Sequence, residues 1–506
     1  MAKKNENKLS YLQMPLPKGK KHYKMTKRSW SGLNYRQTID TGALSMENNI
    51  STLEAPYLTP SQKPIKFTDN YANPISMFGF DDFLIVIHRK STSICVDYIT
   101  VDEYGDADNI YTGVLQNGGA TIKDEYPRCV VQFNVYDTPT DPVSGKYDKK
   151  LLIFPDKKSM DFEITGDFKT DDMGEAVPNI KYAAVHLSRL FGVDDARVYA
   201  SGYNDYTNWN LDTIDEYNES NAWCSPAQSN TKAGGNFTGI ANFQGHIVCF
   251  KRDFMHEIYN TKNPFRIQDI YAEGAIDHRT IQDVDGRLIF VSEDDVKIYT
   301  GSNPRIIGYN LNMTKCKYAV SGTDNRNYYL YCEDASENKY LYVYDTYTDL
   351  WSEQSITDRV INFAHNKNGM YMLCSSPNGE TTKGIVYKMD TNEYSHHWSL
   401  ETDLITNETV NIKHIKKIQM FADIQEESEA WIKVYFLYDE ETFDGLKDEE
   451  KEKRLMYSSD GYGQKAIRVK PRQTASYGIK LHIEGYGYVK LYELELFMEN
   501  GGDLYV

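Results

Sequence analysis

Along the middle of the chain, apolar residues come in short runs closed by Gly, Asn, Asp or Ser, a pattern that predicts strands joined by tight turns. Gly245-His-Ile-Val-Cys-Phe250 leads through a charged turn to His256-Glu-Ile-Tyr259, and Gly286-Arg-Leu-Ile-Phe-Val291 leads through Glu293-Asp-Asp295 to Lys297-Ile-Tyr299. The two glycines lie 41 positions apart and the two tyrosines 40, within the roughly 40–45 residue period of a four-stranded propeller blade. Arg197-Val-Tyr-Ala-Ser-Gly202, running on to Trp209, opens this central block.

The same punctuation extends to both sides. Phe83–Ile87 and Ser93–Tyr98 read as a hairpin, and Val130–Val135 and Leu151–Phe154 as further strands. Asn327–Tyr331 and Leu341–Asp345 form a hairpin that ends in Asp345-Thr-Tyr-Thr-Asp-Leu-Trp351; Met370–Leu373 and Ile385–Lys388 follow and end at Asp390 and Trp398. An aspartate closing a turn and an aromatic opening the next strand is blade punctuation. Strand clusters near Phe83, Val130, Leu151, Val198, Val248, Ile289, Leu330 and Met372, two of them sharing a blade, predict six or seven blades. Those near Val248, Ile289, Leu330 and Met372 are expected at equivalent positions around one axis. Ile180–Phe191, with Ala183, Ala184, Leu187, Leu190 and Phe191 at three and four spacing, predicts a short amphipathic helix. From about Ile412 the strands alternate apolar and polar residues without the blade period, which predicts a β-sandwich. The expected fold is therefore all-β: an extended arm and lead-in over residues 1–60, a propeller over 61–411 and a β-sandwich over 412–506.

The first 36 residues carry Lys3, Lys4, Lys8, Lys18, Lys20, Lys21, Lys24, Lys27 and Arg28 against Glu6 as the one acid. A basic stretch without strand or helix pattern is a solvated tail, an arm docking on an acidic neighbouring subunit, or a phosphate contact. The docking arm predicts that deleting residues 1–30 leaves the melting temperature nearly unchanged. Leu44–Lys66, with Pro56, Pro60 and Pro64, is expected to drape over the first blade. The formal net charge of −17 argues against wrapping duplex DNA on the globular surface, which requires many Lys and Arg contacts. Seven cysteines without a C-x-x-C pair indicate neither a zinc site nor a disulfide framework, so reduced core thiols are expected. No run reaches a membrane-spanning length and no apolar leader opens the chain, so synthesis and folding in a cytoplasm are expected.

Candidate chemistry changes little. The chain contains no G-x-S-x-G, no G-x-x-x-x-G-K-[ST] and no H-E-x-x-H. Ser201–Trp209 echoes a sialidase box, but Tyr203 stands where that box has aspartate. Asp102, Glu103, Asp106 and Asp108 lack the glycine and distal glutamate of a calcium loop and read as a solvated turn. His396 and His397 are adjacent, so on a strand they face opposite sides. Asp277-His278-Arg279 is the most site-like triplet, set against the reading of a polar corner before a strand. The expectation is a protein without catalytic, cofactor or metal residues, whose function is assembly.

Arg197–Gly202 with Trp209, Ile247–Tyr259, Gly274-Ala-Ile-Asp-His-Arg-Thr-Ile281, and Gly286–Tyr299 followed by Gly301-Ser302 resemble the propeller proteins of short-tailed phages known as packaged-DNA stabilisation or tail-hub proteins. Lys433-Val-Tyr-Phe-Leu-Tyr-Asp439, Pro471-Arg472 and Leu481-His-Ile-Glu-Gly-Tyr-Gly487 are similar to the β-sandwich that accompanies such propellers. The Tyr-, Asn- and Lys-rich style resembles that of crAss-like phages. The first 190 residues depart from simpler members in their arm and loop insertions. The resemblance implies a virion tail protein made in the host cytoplasm, with portal-proximal, tail-ring and fibre proteins as partners and a homo-oligomeric ring of six or twelve. A carbohydrate- or receptor-binding propeller is the alternative, and a gene neighbourhood of portal and fibre genes separates the two.

Overall fold

The computed structural model describes residues 12–14, 23–36, 41–102, 105–116, 127–136, 147–212, 221–225, 235–311, 313, 316–378, 381–406, 412–425, 429–439, 441–471 and 475–500. Seven four-stranded antiparallel sheets follow one another between Ile65 and Lys388, and the first strands of five of the seven successive pairs of sheets, the last-to-first pair included, lie against each other. The fold is a seven-bladed β-propeller. Blades 1 to 6 are Pro74–Gln116, Cys129–Asp172, Tyr182–Cys224, Gly239–Ile270, Gln282–Ile306 and Tyr318–Gln354, each with its four strands in chain order. Val130 and Leu151 share blade 2. Val248, Ile289, Leu330 and Met372 each sit on the second strand of their blade, so the sequence period reports one radial position.

The second strands explain the apolar runs. Ile247 and Cys249 pack with Val193 and Phe191 of blade 3, whereas Val248 and Phe250 pack with Leu288 and Phe290 of blade 5. Both faces of such a strand are covered, so its alternation disappears and an unbroken run remains. Each buried side chain of this kind contributes about 1.5–3 kcal/mol. Gly245 and Gly286, which set the period, follow Gln244 and Asp285 in two-residue turns where all four φ angles are positive, between 45° and 84°. Turns of that hand match the twist of the strands they join and favour Asn, Asp and Gly.

The segment expected to be a helix is a hairpin. Tyr182–His186 pairs with Arg189–Val193, joined by Leu187 and Ser188 at φ 47° and 57°. Ala183, Leu190 and Phe191 are buried between blades, so packing on both faces of a strand mimicked helical spacing.

Blade 7 consists of Arg359–Asn366, Gly369–Asn378 and Thr381–Lys388, and its outer strand is Ile65–Ala72 from the other end of the propeller. This closes the ring. At the seam, a Cβ on Gly79 of blade 1 would stand 2.3 Å from the His365 carbonyl oxygen, an approach that only glycine permits. The closure also corrects two expectations. Trp398 does not punctuate blade 7, because the N-terminal strand fills the fourth position and the chain leaves for the sandwich. The lead-in lies along blade 6 and not blade 1: Ser355 N donates to Asn49 Oδ1 at 2.8 Å, and Arg326 Nη2 to the Leu53 carbonyl at 3.1 Å.

The sandwich takes in more of the chain than residues 412–506. One sheet orders Leu12–Met14, Tyr23–Arg28, Val489–Asn500, Lys413–Ile424 and Gly463–Val469; the other orders Leu44–Asn48, His397–Thr402, Ile479–Tyr486, Trp431–Tyr438 and Leu455–Ser459. Both chain ends therefore build it, and the propeller is an insertion between them. Ile418, Met420, Ile432, Val434, Phe436, Leu481, Ile483, Leu494 and Leu496 meet in one core with Trp30 and Trp398. Seven free cysteines occur, five of them buried, and burial pushes the Cys129 thiol up to about 11.

Candidate interaction surfaces

The propeller and sandwich are joined through a pair of buried carboxyls. Glu47, on the sandwich strand Leu44–Asn48, is 2% exposed, and its Oε1 accepts from the backbone N of Glu353 on blade 6 at 2.8 Å. Its Oε2 is buried without a hydrogen-bond partner among the described residues. Tyr35 donates its hydroxyl to Glu353 Oε2. Alongside, Leu33 N donates to the Trp351 carbonyl at 2.9 Å. Burial pushes Glu353 up to about 7, and burial with the neighbouring Glu353 charge outweighs the backbone hydrogen bond to raise Glu47 well above the usual carboxylate range. The folded state thus holds protons that the unfolded chain releases near 4.5. The unfolded chain binds fewer protons between those values, so stability falls as pH rises from about 4.5 through about 7. The melting temperature should be lower at pH 8 than at pH 5, and Glu353→Gln should flatten that slope. An unchanged slope in the variant would remove this joint as its source.

A cavity of about 370 Å³ opens among the first strands of blades 1, 2, 5, 6 and 7, with Phe78, Val130, Gln282, Ser321 and Asn362 on its walls. Asp277-His278-Arg279 stands beside it. Asp277 caps the short turn His278–Thr280, its Oδ1 accepting from Arg279 N at 2.9 Å. Arg279 returns two hydrogen bonds to the same carboxylate, at 3.1 and 2.8 Å, and donates to Tyr318 Oη at 3.2 Å. Tyr318 in turn donates to the Val360 carbonyl of blade 7 at 3.0 Å, with the Arg359 guanidinium 4.0 Å from its ring centre. Tyr182 of blade 3 stacks on His278 at 4.6 Å. Burial opposes ionisation of Asp277, but the Arg279 pair outweighs it and holds the carboxyl low; burial drives His278 down to about 4. The triplet is a polar corner that ties blades 3, 5, 6 and 7.

The other candidates disperse. Asp102 Oδ1 accepts from Asp106 N at 2.8 Å in a turn whose Asp106 and Asp108 are exposed; Glu103 lies outside the described residues. His397 packs on Trp431 and Tyr486, while His396 is half-buried beside it. Trp209 donates to the Tyr206 carbonyl at 2.9 Å and packs on the cluster between blades 2 and 3. Among the described residues, no group of three or more His, Cys, Asp or Glu is placed to hold a metal ion, and no helix is long and apolar enough to cross a membrane.

Of the basic arm, Lys3, Lys4, Lys8, Lys18, Lys20 and Lys21 lie outside the described residues. Lys24, Lys27 and Arg28 lie on Tyr23–Arg28, which pairs with Val489–Asn500 over six residues. That part is a sandwich strand, not a free arm. Sequence reading also missed Arg128 and Asp156, a fully buried ion pair between blades 1 and 2. Arg128 follows directly on Pro127, with no apolar pattern to mark it.

No family model matches the chain, and no curated protein matches it. Among solved structures, the WD40 domain of a coronin from Toxoplasma gondii is similar over 65% of this chain and 87% of that one, at 10% identity and a TM-score of 0.40. A likeness at that level carries no argument, so the propeller rests on its own strand order, register and closure.

Proposed function

We propose that this chain is a non-enzymatic structural component of a short phage tail, a ring or hub subunit that joins portal and head-completion proteins to distal tail and fibre proteins and helps retain packaged DNA. The motif resemblance in the central block and the sandwich is its source. The observation that carries it is the closure: one N-terminal strand seals the propeller and the flanking segments fold into a single sandwich. Such a chain is a rigid disk clipped to a second rigid body, with loops on two propeller faces available for neighbours. Heterologous contacts between copies close a ring when the rotation between them permits, and six or twelve copies suit a tail axis. The basic residues before Tyr23 supply the contact to an acidic neighbour, which this chain, at −17 overall, itself resembles.

The test is to purify the protein and follow its oligomeric state with and without the proteins encoded beside it, while screening for polysaccharide cleavage. Rings that form only with neighbours, without cleavage, are expected. Removing residues 1–22 should weaken incorporation, and added salt should weaken the parent towards the same level. Cleavage that disappears on mutating a carboxylate pair would overturn the reading.

A further inference from the structure

On the outer face of the larger sandwich sheet, Phe421 departs from the apolar–polar alternation of its strand. Ile418, Met420, Ala422 and Ile424 point into the core, but Phe421 points outward and is 54% exposed. Its cross-strand neighbour on Gly463–Val469 is Ala466, too small to cover the ring. On the other side the register slips: Met420 pairs with Leu494 and Ala422 with Leu491, so Tyr492 and Glu493 together oppose Phe421. Such a bulge re-aims side chains and is common beside binding sites.

The segment before Leu58 completes the surface. Leu58 and Leu491 exchange backbone hydrogen bonds at 3.1 and 2.8 Å, which brings Tyr57 to Tyr492 with ring centres 4.9 Å apart and planes tilted by 58°. The result is a trough of about 350 Å³ lined by Tyr57, Phe421, Tyr492, Gln464, Glu493 and Glu495. Gln419 Nε2 donates to Glu495 Oε2 at 3.0 Å and fixes that carboxylate in place. Four separate parts of the chain supply the rings and the polar groups.

A sugar ring has an apolar C–H face and a rim of hydroxyls, so it is recognised by an open aromatic face with planar amides and carboxylates beside it. The trough has that combination. A basic peptide fits less well. Lys490 already sits 4.8 Å above the Tyr57 ring and pairs with Glu54 at 2.5 Å, so the chain itself occupies the cation-binding face of that tyrosine. We propose that this trough binds a neutral oligosaccharide, one ring stacked on Phe421 and its hydroxyls held by Gln464 and Glu495. The site is separate from the propeller and its joint, and it adds glycan attachment to a tail component without requiring cleavage.

Calorimetric titration of the full chain with neutral hexaoses of glucose, of mannose and of N-acetylglucosamine tests this, with a lysine-rich peptide copying residues 1–22 as the rival ligand. At least one hexaose is expected to bind. Phe421→Ala should weaken it about tenfold or more and Gln464→Ala about three- to tenfold. Both side chains are exposed, so both variants should melt with the parent. Tyr347→Ala, on an exposed turn of blade 6, should bind as the parent does. Ring formation with neighbouring proteins should survive Phe421→Ala, which separates this site from the tail reading. The proposal is overturned if no hexaose binds, if Phe421→Ala binds undiminished, or if the trough takes the peptide in place of the sugars.

Discussion

Replacing Asp156 by Ala should destabilise the propeller by about 3–5 kcal/mol, the cost of breaking a buried ion pair by removing one partner. Arg128 Nε and Nη2 donate to the two Asp156 oxygens at 2.9 and 3.2 Å, and Gln116 Nε2 adds a third hydrogen bond at 2.6 Å. Both charged side chains are 0% exposed. Arg128 N also donates to Ser76 Oγ at 3.0 Å, so the pair is tied to two strands of blade 1, through Ser76 to Arg128 and through Gln116 to Asp156. Removing the carboxylate breaks this pair where both side chains are closed to water. Guanidinium chloride unfolding should report the loss, and hydrogen exchange should place it: protection falls over Pro74–Phe80 and Cys129–Tyr136 and persists over Val489–Asn500. The double replacement Arg128→Met with Asp156→Leu should recover much of the loss, because apolar residues of similar volume carry no desolvation cost. A stable Asp156→Ala protein would show that the seam between blades 1 and 2 does not depend on this pair.

Deleting residues 1–30 should lower the melting temperature sharply, the opposite of what a free arm predicts. The deletion removes Tyr23–Arg28, with its six-residue pairing to Val489–Asn500, and Trp30, which is 6% exposed in the sandwich core and donates Nε1 to the Tyr492 carbonyl at 2.8 Å. Trp30→Ala alone should cost about 3–5 kcal/mol through lost burial and the cavity it leaves. Deleting residues 1–22 removes six of the arm lysines and the three-residue edge strand Leu12–Met14, and should shift melting far less. Differential scanning calorimetry of the three proteins distinguishes the cases. Equal melting of the parent and the 1–30 deletion would mean that the N-terminal strand contributes nothing to the sandwich.

The propeller was legible because its signal is local and repeated. An apolar run on a doubly covered second strand recurs along the blades, and in blades 4 and 5 a glycine at a left-handed turn precedes it, so a 41-residue spacing between Gly245 and Gly286 exposes the architecture. What the sequence concealed was pairing between distant segments. Nothing in Ile65–Ala72 announces that its partner is Thr381–Lys388, more than 300 positions away, and nothing in the lysine-rich Tyr23–Arg28 announces a strand. Spacing misled at Leu187-Ser188, where a two-residue turn sat inside a plausible helical pattern. The Glu47–Glu353 joint was invisible for the same reason as the closure. Phe421 did leave a trace, because it breaks the alternation of Ile418-Gln-Met-Phe421 on the polar side of the strand, but only its contiguity with Tyr57 and Tyr492 makes a patch, and that needs the fold.

Assembly as the function of this disk and sandwich is tested most directly by cryo-electron microscopy of tailed particles from cells that express the gene. The account predicts density for a seven-bladed propeller repeated in a closed ring around the tail axis, with the sandwich fixed beside each disk and the residues before Tyr23 reaching a neighbouring subunit. Particles complete without this chain, or a single unringed copy at a fibre tip, would contradict it.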